Sequence, residues 1–240
     1  MLNLPRQIAG YLRDKLELSA EQEEVALYSL EVFIYTGYAF LGAGLVGWLL
    51  GCLPATLTVA LTIFVLRCFS GGAHSESPAG CTILSFLLIP LSAKLAVLIA
   101  PLFSLFFLVV LISAGFLLSL FLVWRLAPID TPAKPVSSES ERRRFKILSL
   151  LTVGIILLVQ VSLLSFLSSL TAVAAVLSLE AGLLWQVFSL TDPGRRFFAV
   201  FDHFKFGFFQ KEVKKEDEKD LLRNVDNLVQ HPGSGGGPNY

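Results

Sequence analysis

The sequence predicts an all-α, polytopic membrane protein with about six transmembrane helices and amphipathic helices at its N- and C-terminal ends. Three observations carry this expectation. Hydrophobic residues make up 54% of the chain, more than a soluble core of this size can bury, so the excess must face lipid. The apolar residues gather into stretches of about bilayer length. Lys and Arg crowd into alternate connections between those stretches and are missing from the others. The 19 basic and 19 acidic residues balance to a net charge of zero, which favours neither acidic nor basic partners.

From the N-terminus, Leu4, Ile8, Leu12 and Leu16 recur at four-residue steps among Arg6, Arg13, Asp14 and Lys15, the pattern of a short helix lying on a membrane surface. No apolar run followed by a small-residue cleavage site precedes Glu24, so the first span is expected to stay as a membrane anchor. Ser19 and Gln22 form a capping-box pattern. They open a second helix whose acidic start suits the helix dipole and which can run into the first span.

Six apolar stretches follow, at Val32–Leu53, Pro54–Leu66, Cys81–Ala100, Pro101–Trp124, Ile147–Ser168 and Ser169–Leu190. The second is short: it either borrows flanking residues to cross, or re-enters and reverses everything after it. The turns near 51–56, 100–102 and 168–171 contain no Lys or Arg. By the positive-inside pattern both termini, the 67–80 loop and the 125–146 loop are expected in the cytoplasm. Arg142, Arg143, Arg144 and Lys146 read as anchors on anionic headgroups. Residues 1–190 are thus read as one membrane-embedded domain, 191–230 as a cytoplasmic amphipathic and charged tail, and 231–240 as a flexible linker-like end.

Between the second and third stretches lies Arg67-Cys-Phe-Ser-Gly-Gly-Ala-His74-Ser-Glu-Ser-Pro-Ala-Gly-Cys81. Attack of Cys on a carbonyl needs a thiolate, and a neighbouring imidazole can accept its proton. Ser77 can cap a helix, and Pro78 suits its first position. Cys81 then falls in the opening turn, where the dipole favours the thiolate. Gly71 and Gly72 allow the backbone to fold closely or present amide donors. The plain alternative is a loop His and a Cys at a helix start with no joint task. Cys68 is a rival nucleophile near His74, and Cys52 has no base nearby in sequence. No His or Cys pair has zinc spacing, so neither metal nor cofactor is expected, and no nucleic-acid partner.

Arg67, Gly72-Ala73-His74 and Cys81 resemble the signature of the accessory gene regulator B (AgrB) proteins, membrane-embedded cysteine peptidases of Gram-positive quorum sensing. Ala127-Pro-Ile-Asp-Thr-Pro-Ala-Lys-Pro135 is similar to that family's Pro/Lys-rich motif, and the likeness runs from about Leu4 to Leu190. The resemblance implies a peptidase that removes the C-terminal part of a short precursor signal peptide. The remaining acyl group stays on Cys81, with His74 as general base, until a thiol or hydroxyl within the precursor closes a thiolactone or lactone ring. Arg67 is then a clamp for an acidic segment of the precursor or, equally, a positive-inside flank. Glu31 matches a polar family position and either supports His74 and substrate or is a simple interfacial residue. Lys134 either meets the acidic peptide or is a loop flank.

Gly37, Gly42, Gly44, Gly47 and Gly51 form a small-residue run suited to helix packing within the chain or in a homodimer. Lys94 and Glu180 fall inside spans: they pair with each other, or Lys94 snorkels outward, or, with Glu31, they mark the polar path of a small transporter, the competing reading.

Overall fold

Apolar backbone in a bilayer must satisfy its hydrogen bonds within the segment, and each of the six stretches does so as a helix. The computed structural model describes residues 4–72, 78–129, 138–165 and 169–200, and of 78–81 it describes the backbone alone. The helices are α1 (Leu4–Leu16), α2 (Ala20–Leu49), α3 (Leu53–Ser70), α4 (Pro78–Ile99), α5 (Leu105–Leu126), α6 (Glu139–Leu164) and α7 (Leu170–Leu190). Helices α2 to α7 are each long and apolar enough to cross a membrane, so the chain is a multi-pass membrane protein. No strand occurs among the described residues.

Helix α1 lies against α2 with Ala9 buried, and Arg13 bridges to Glu23 at 3.2 Å. The expected capping box is formed: Ser19 Oγ accepts from Gln22 N, and Gln22 Oε1 accepts from Ser19 N. Helix α2 then runs unbroken for 30 residues. At about 1.5 Å per residue it outreaches the hydrocarbon layer, and its acidic first turns extend beyond that layer.

One open alternative is resolved and one boundary differs from the sequence expectation. The short second stretch becomes α3, 18 residues long, because Arg67, Cys68 and Ser70 continue the helix. It is one unbroken helix, long and apolar enough to cross a membrane, and it packs against α2, α4 and α7. The basic run expected in a loop instead opens α6, where Ser138 Oγ accepts from Glu141 N as an N-cap. Lys146 there sits 5.8 Å over the Trp124 ring, a cation–π contact.

Helix α7 is the hub, packed against α3, α4, α5 and α6. Its close approach to α3 uses Gly182, where a Cβ would stand 2.8 Å from Thr62 Cβ. Inside the bundle Gln160 Nε2 donates to Glu180 Oε2 at 2.8 Å, and both side chains are buried. A buried carboxyl that loses its donor costs about 1–3 kcal/mol. Gln160→Leu should therefore lower the unfolding free energy in detergent by about that amount, measured by thermal or denaturant melts. An unchanged melt would show that Glu180 does not need this donor.

Candidate functional site

The C-terminal turn of α3 is where the sequence signature begins. Arg67 lies in that turn, and its carbonyl accepts from Gly71 N at 3.0 Å. Gly71 takes φ +67 and ψ −148, a region open in practice to glycine alone. A Cβ there would stand 2.5 Å from Ile129 O, so the chain can turn here only without a side chain. Gly72 follows at φ +146, and its missing Cβ leaves room for Ser189 Oγ of α7, which would be 2.8 Å away.

This corner is held from two sides. Ile129 N donates to Ser70 O at 3.0 Å, which ties the start of the second motif to the start of the first. Gln186 Nε2, from α7, donates to Gly71 O at 2.7 Å and Ser70 Oγ at 3.1 Å. Ser70, Gln186 and Ser189 are each fully buried. The sequence reading passed over Gln186 and Ser189. Their signal was present as polar residues inside an otherwise apolar span, where such groups require a partner.

Helix α4 begins at Pro78, as the sequence led one to expect, so Cys81 lies in its opening turn. Ser77, the expected cap, lies outside the described residues, as do His74 and Lys134. Helices α2 and α4 run side by side in the same direction, with Thr82 Oγ1 donating to Tyr35 O at 3.3 Å. Glu31 is one helical turn before Tyr35, so it lies level with the start of α4.

A cavity of about 780 Å³ opens beside the corner, lined by Arg67, Cys68 and Gly71 together with Tyr28, Ile129 and Phe145. Its other walls are largely apolar side chains of α2 and α3, and Phe40 meets Phe64 edge-on among them. A mostly apolar hollow of this size with a few polar groups at one end suits an organic ligand or peptide segment. Cys68 is exposed, whereas Cys52 is buried at the far end of α3 and bonds Thr56.

Lys94 and Glu180 do not pair. Lys94 Nζ donates to Leu50 O at 2.9 Å, closing the C-terminal end of α2, while Glu180 is engaged by Gln160. Lysine reaches out to the helix end because the carbonyls there lack intrahelical partners. Among the described residues Lys94 and Glu180 therefore have different partners, and neither bonds Glu31. The glycine run is partly spent within the chain: Gly42 receives the Phe86 ring and Gly47 the Thr56 side chain, while Gly37 and Gly51 face open space. Among the described residues no three His, Cys, Asp or Glu gather as metal ligands would.

Residues 6–190 match the family model described as Accessory gene regulator B. A protein of Clostridium perfringens (strain 13 / Type A) named "Putative AgrB-like protein 2" is 31% identical over 209 residues, covering 84% of this chain and 96% of the relative. A "Putative AgrB-like protein" of C. perfringens (strain SM101 / Type A) is 28% identical over the same shares of each chain. No solved structure matches.

Proposed function

The chain belongs to the accessory gene regulator B family, and from that premise we propose that it is a membrane cysteine endopeptidase that cleaves and cyclises a short precursor signal peptide. Membership alone gives a role in the accessory gene regulator system of quorum sensing. The finer reading rests chiefly on one observation: the Ile129–Ser70 hydrogen bond joins the two sequence motifs at the rim of the Arg67-lined cavity. Residues distant in sequence are thereby gathered at the mouth of a cavity that suits a peptide segment.

In this mechanism His74 takes the Cys81 proton, and the helix start stabilises the thiolate. The thiolate attacks the scissile carbonyl, and the C-terminal part of the precursor leaves as an amine that receives the proton from His74. An internal thiol of the precursor then attacks the acyl-enzyme. Its sulfur bonds the carbonyl carbon, the Cys81 thioester breaks, and the incoming thiol's proton returns to Cys81. One thioester replaces another, so the exchange is nearly balanced in energy and depends on positioning. Arg67 meets the acidic C-terminal segment as a charge partner, Lys134 adds to that attraction, and Gly72 gives the loop its turn. Glu31, level with the start of α4, has a supporting role toward His74 or the substrate. The positive-inside pattern of the sequence supports a cytoplasmic side for the 67–80 loop and both termini.

The test is to trap the intermediate. The full chain is co-expressed with a synthetic gene for a short precursor that has an amphipathic start, a central Cys or Ser and an acidic end. Mass spectrometry of the protein after acid quench should show a precursor-derived acyl group on the peptide containing Cys81. The same adduct should persist in Cys68→Ser. An adduct on Cys68, or processing with no adduct on any cysteine, would overturn the mechanism.

A further inference from the structure

The segment after α7 lies beyond the residues matched by the family model, which end at 190. Residues 192–200 form a helix that begins tightly. Thr191 Oγ1 accepts from Gly194 N at 3.2 Å, and Arg195 N donates to Thr191 O at 3.0 Å. Asp192 pairs with Arg195, and hydrogen bonding to that guanidinium holds the exposed Asp192 carboxyl below its ordinary range. Gly194 is pressed against the backbone of Phe188 and Ser189, with no room for a Cβ. The helix is thus folded back onto the bundle at a fixed angle.

What it brings is aromatic. Phe198 is 3% exposed and packs with Leu84 and Leu88 of α4 and Trp185 of α7. Phe197 stands edge-on to Trp185 at 5.9 Å and to Phe198 at 5.9 Å, and meets Phe188 at 6.2 Å. Leu84 follows Cys81 by three residues and Leu88 by seven, and positions so spaced share one face of a helix. The aromatic corner therefore packs on the face of α4 that positions 81, 84 and 88 share, one and two turns beyond the helix's opening turn.

A thioester at that turn has two possible attackers. Water gives a linear carboxylic acid and free Cys81, whereas the precursor's own thiol gives the ring and free Cys81. The first is irreversible and the second nearly balanced, so a cyclising enzyme must keep water away while the internal thiol arrives. We infer that the Trp185–Phe188–Phe197–Phe198 corner is the water-excluding wall of the acyl-enzyme, and that Phe198 sets the partition between cyclisation and hydrolysis. The inference rests on the peptidase reading above. Phe198 acts through its packing on α4 and does not itself react.

The experiment measures partition. The full chain in liposomes is given a synthetic peptide with an amphipathic N-terminal segment, one central Cys and an acidic C-terminal segment, and linear and cyclic products are resolved by mass. Phe198→Ala should raise the linear-to-cyclic ratio several-fold while release of the acidic segment falls much less. Phe198→Leu, which keeps an apolar side chain, should fold as wild type and show the same shift in smaller degree. A ratio unchanged in both variants, with a normal acyl adduct on Cys81, overturns the role of the corner alone. A wild-type chain that forms no adduct and no ring overturns the peptidase reading, and the corner's role with it. A purely structural role predicts equal loss of both products, which would likewise overturn the inference.

Discussion

Replacing Cys81 by alanine should reduce precursor processing to background, with no acyl adduct and no ring. Removing the nucleophile of a covalent mechanism costs on the order of 10⁶ in rate where it has been measured, beyond what a cell-based assay can follow. His74→Ala should cost less, roughly 10²–10⁴, the usual worth of a general base. Part of that loss should return as pH rises, because hydroxide can then ionise the thiol without the imidazole. The order of the two defects is informative. If His74→Ala were as complete as Cys81→Ala at every pH, His74 would be required for more than proton transfer. Cys52→Ala, at the opposite end of α3, should process normally, because its only described side-chain hydrogen bond is to Thr56. Precursor size and Cys81 adduct, read together in these three variants, check the prediction.

The second large effect is expected at Gly71. Alanine there must adopt backbone angles that cost about 1–3 kcal/mol for any residue with a Cβ, and must also displace Ile129 O, 2.5 Å from the new carbon. The strain falls on the junction of the two motifs and leaves the span packing alone. Processing should drop tenfold or more while the protein still inserts and purifies, with thermal unfolding lowered by no more than that strain. Gly154→Ala is the contrast. It lies within α6 with nothing within 4 Å of an added Cβ, and alanine favours a helix interior by about 1 kcal/mol over glycine. It should stabilise slightly and process as wild type. Equal activity in Gly71→Ala and wild type would show that the motif junction does not matter for the reaction.

The membrane fold was readable because its signals are long and redundant. A span of some twenty apolar residues, a Ser–Gln capping pair and a proline at a helix start each act locally, and α2, α4 and α7 begin where those signals placed them. Boundaries failed where local polarity pointed one way and packing another. Arg67, Cys68 and Ser70 look like loop, yet Ser70 is fully buried because Gln186 reaches it from 116 residues away. The basic run at Arg142–Lys146 looks like a surface loop, yet a serine cap and two early acidic residues start a helix before it.

The candidate site was legible as a list and not as an arrangement. Residue types and spacing pointed to Cys81 and His74, and the family resemblance added Arg67. Nothing in the spacing revealed that Ile129 would be stitched to Ser70 or that α7 would supply the seat for Gly71 and Gly72. Such contacts depend on the order in which helices pack, and a polar residue within a span announces only that it needs some partner. Lys94 and Glu180 show the same limit from the other side. Each found a partner, but not the other.

The central place of α7 also fixes when the site can exist. Chains fold from the N-terminus as they are made, so α2 to α6 reach the bilayer before the helix that binds them together. Until α7 arrives, Ser70 and Gly71 lack the Gln186 amide that holds their corner, and α4 lacks the aromatic cover folded back from residues 192–200. This corner is therefore completed only once α7 has been made, and a nascent chain stalled before α7 carries both motifs without the arrangement that joins them to it.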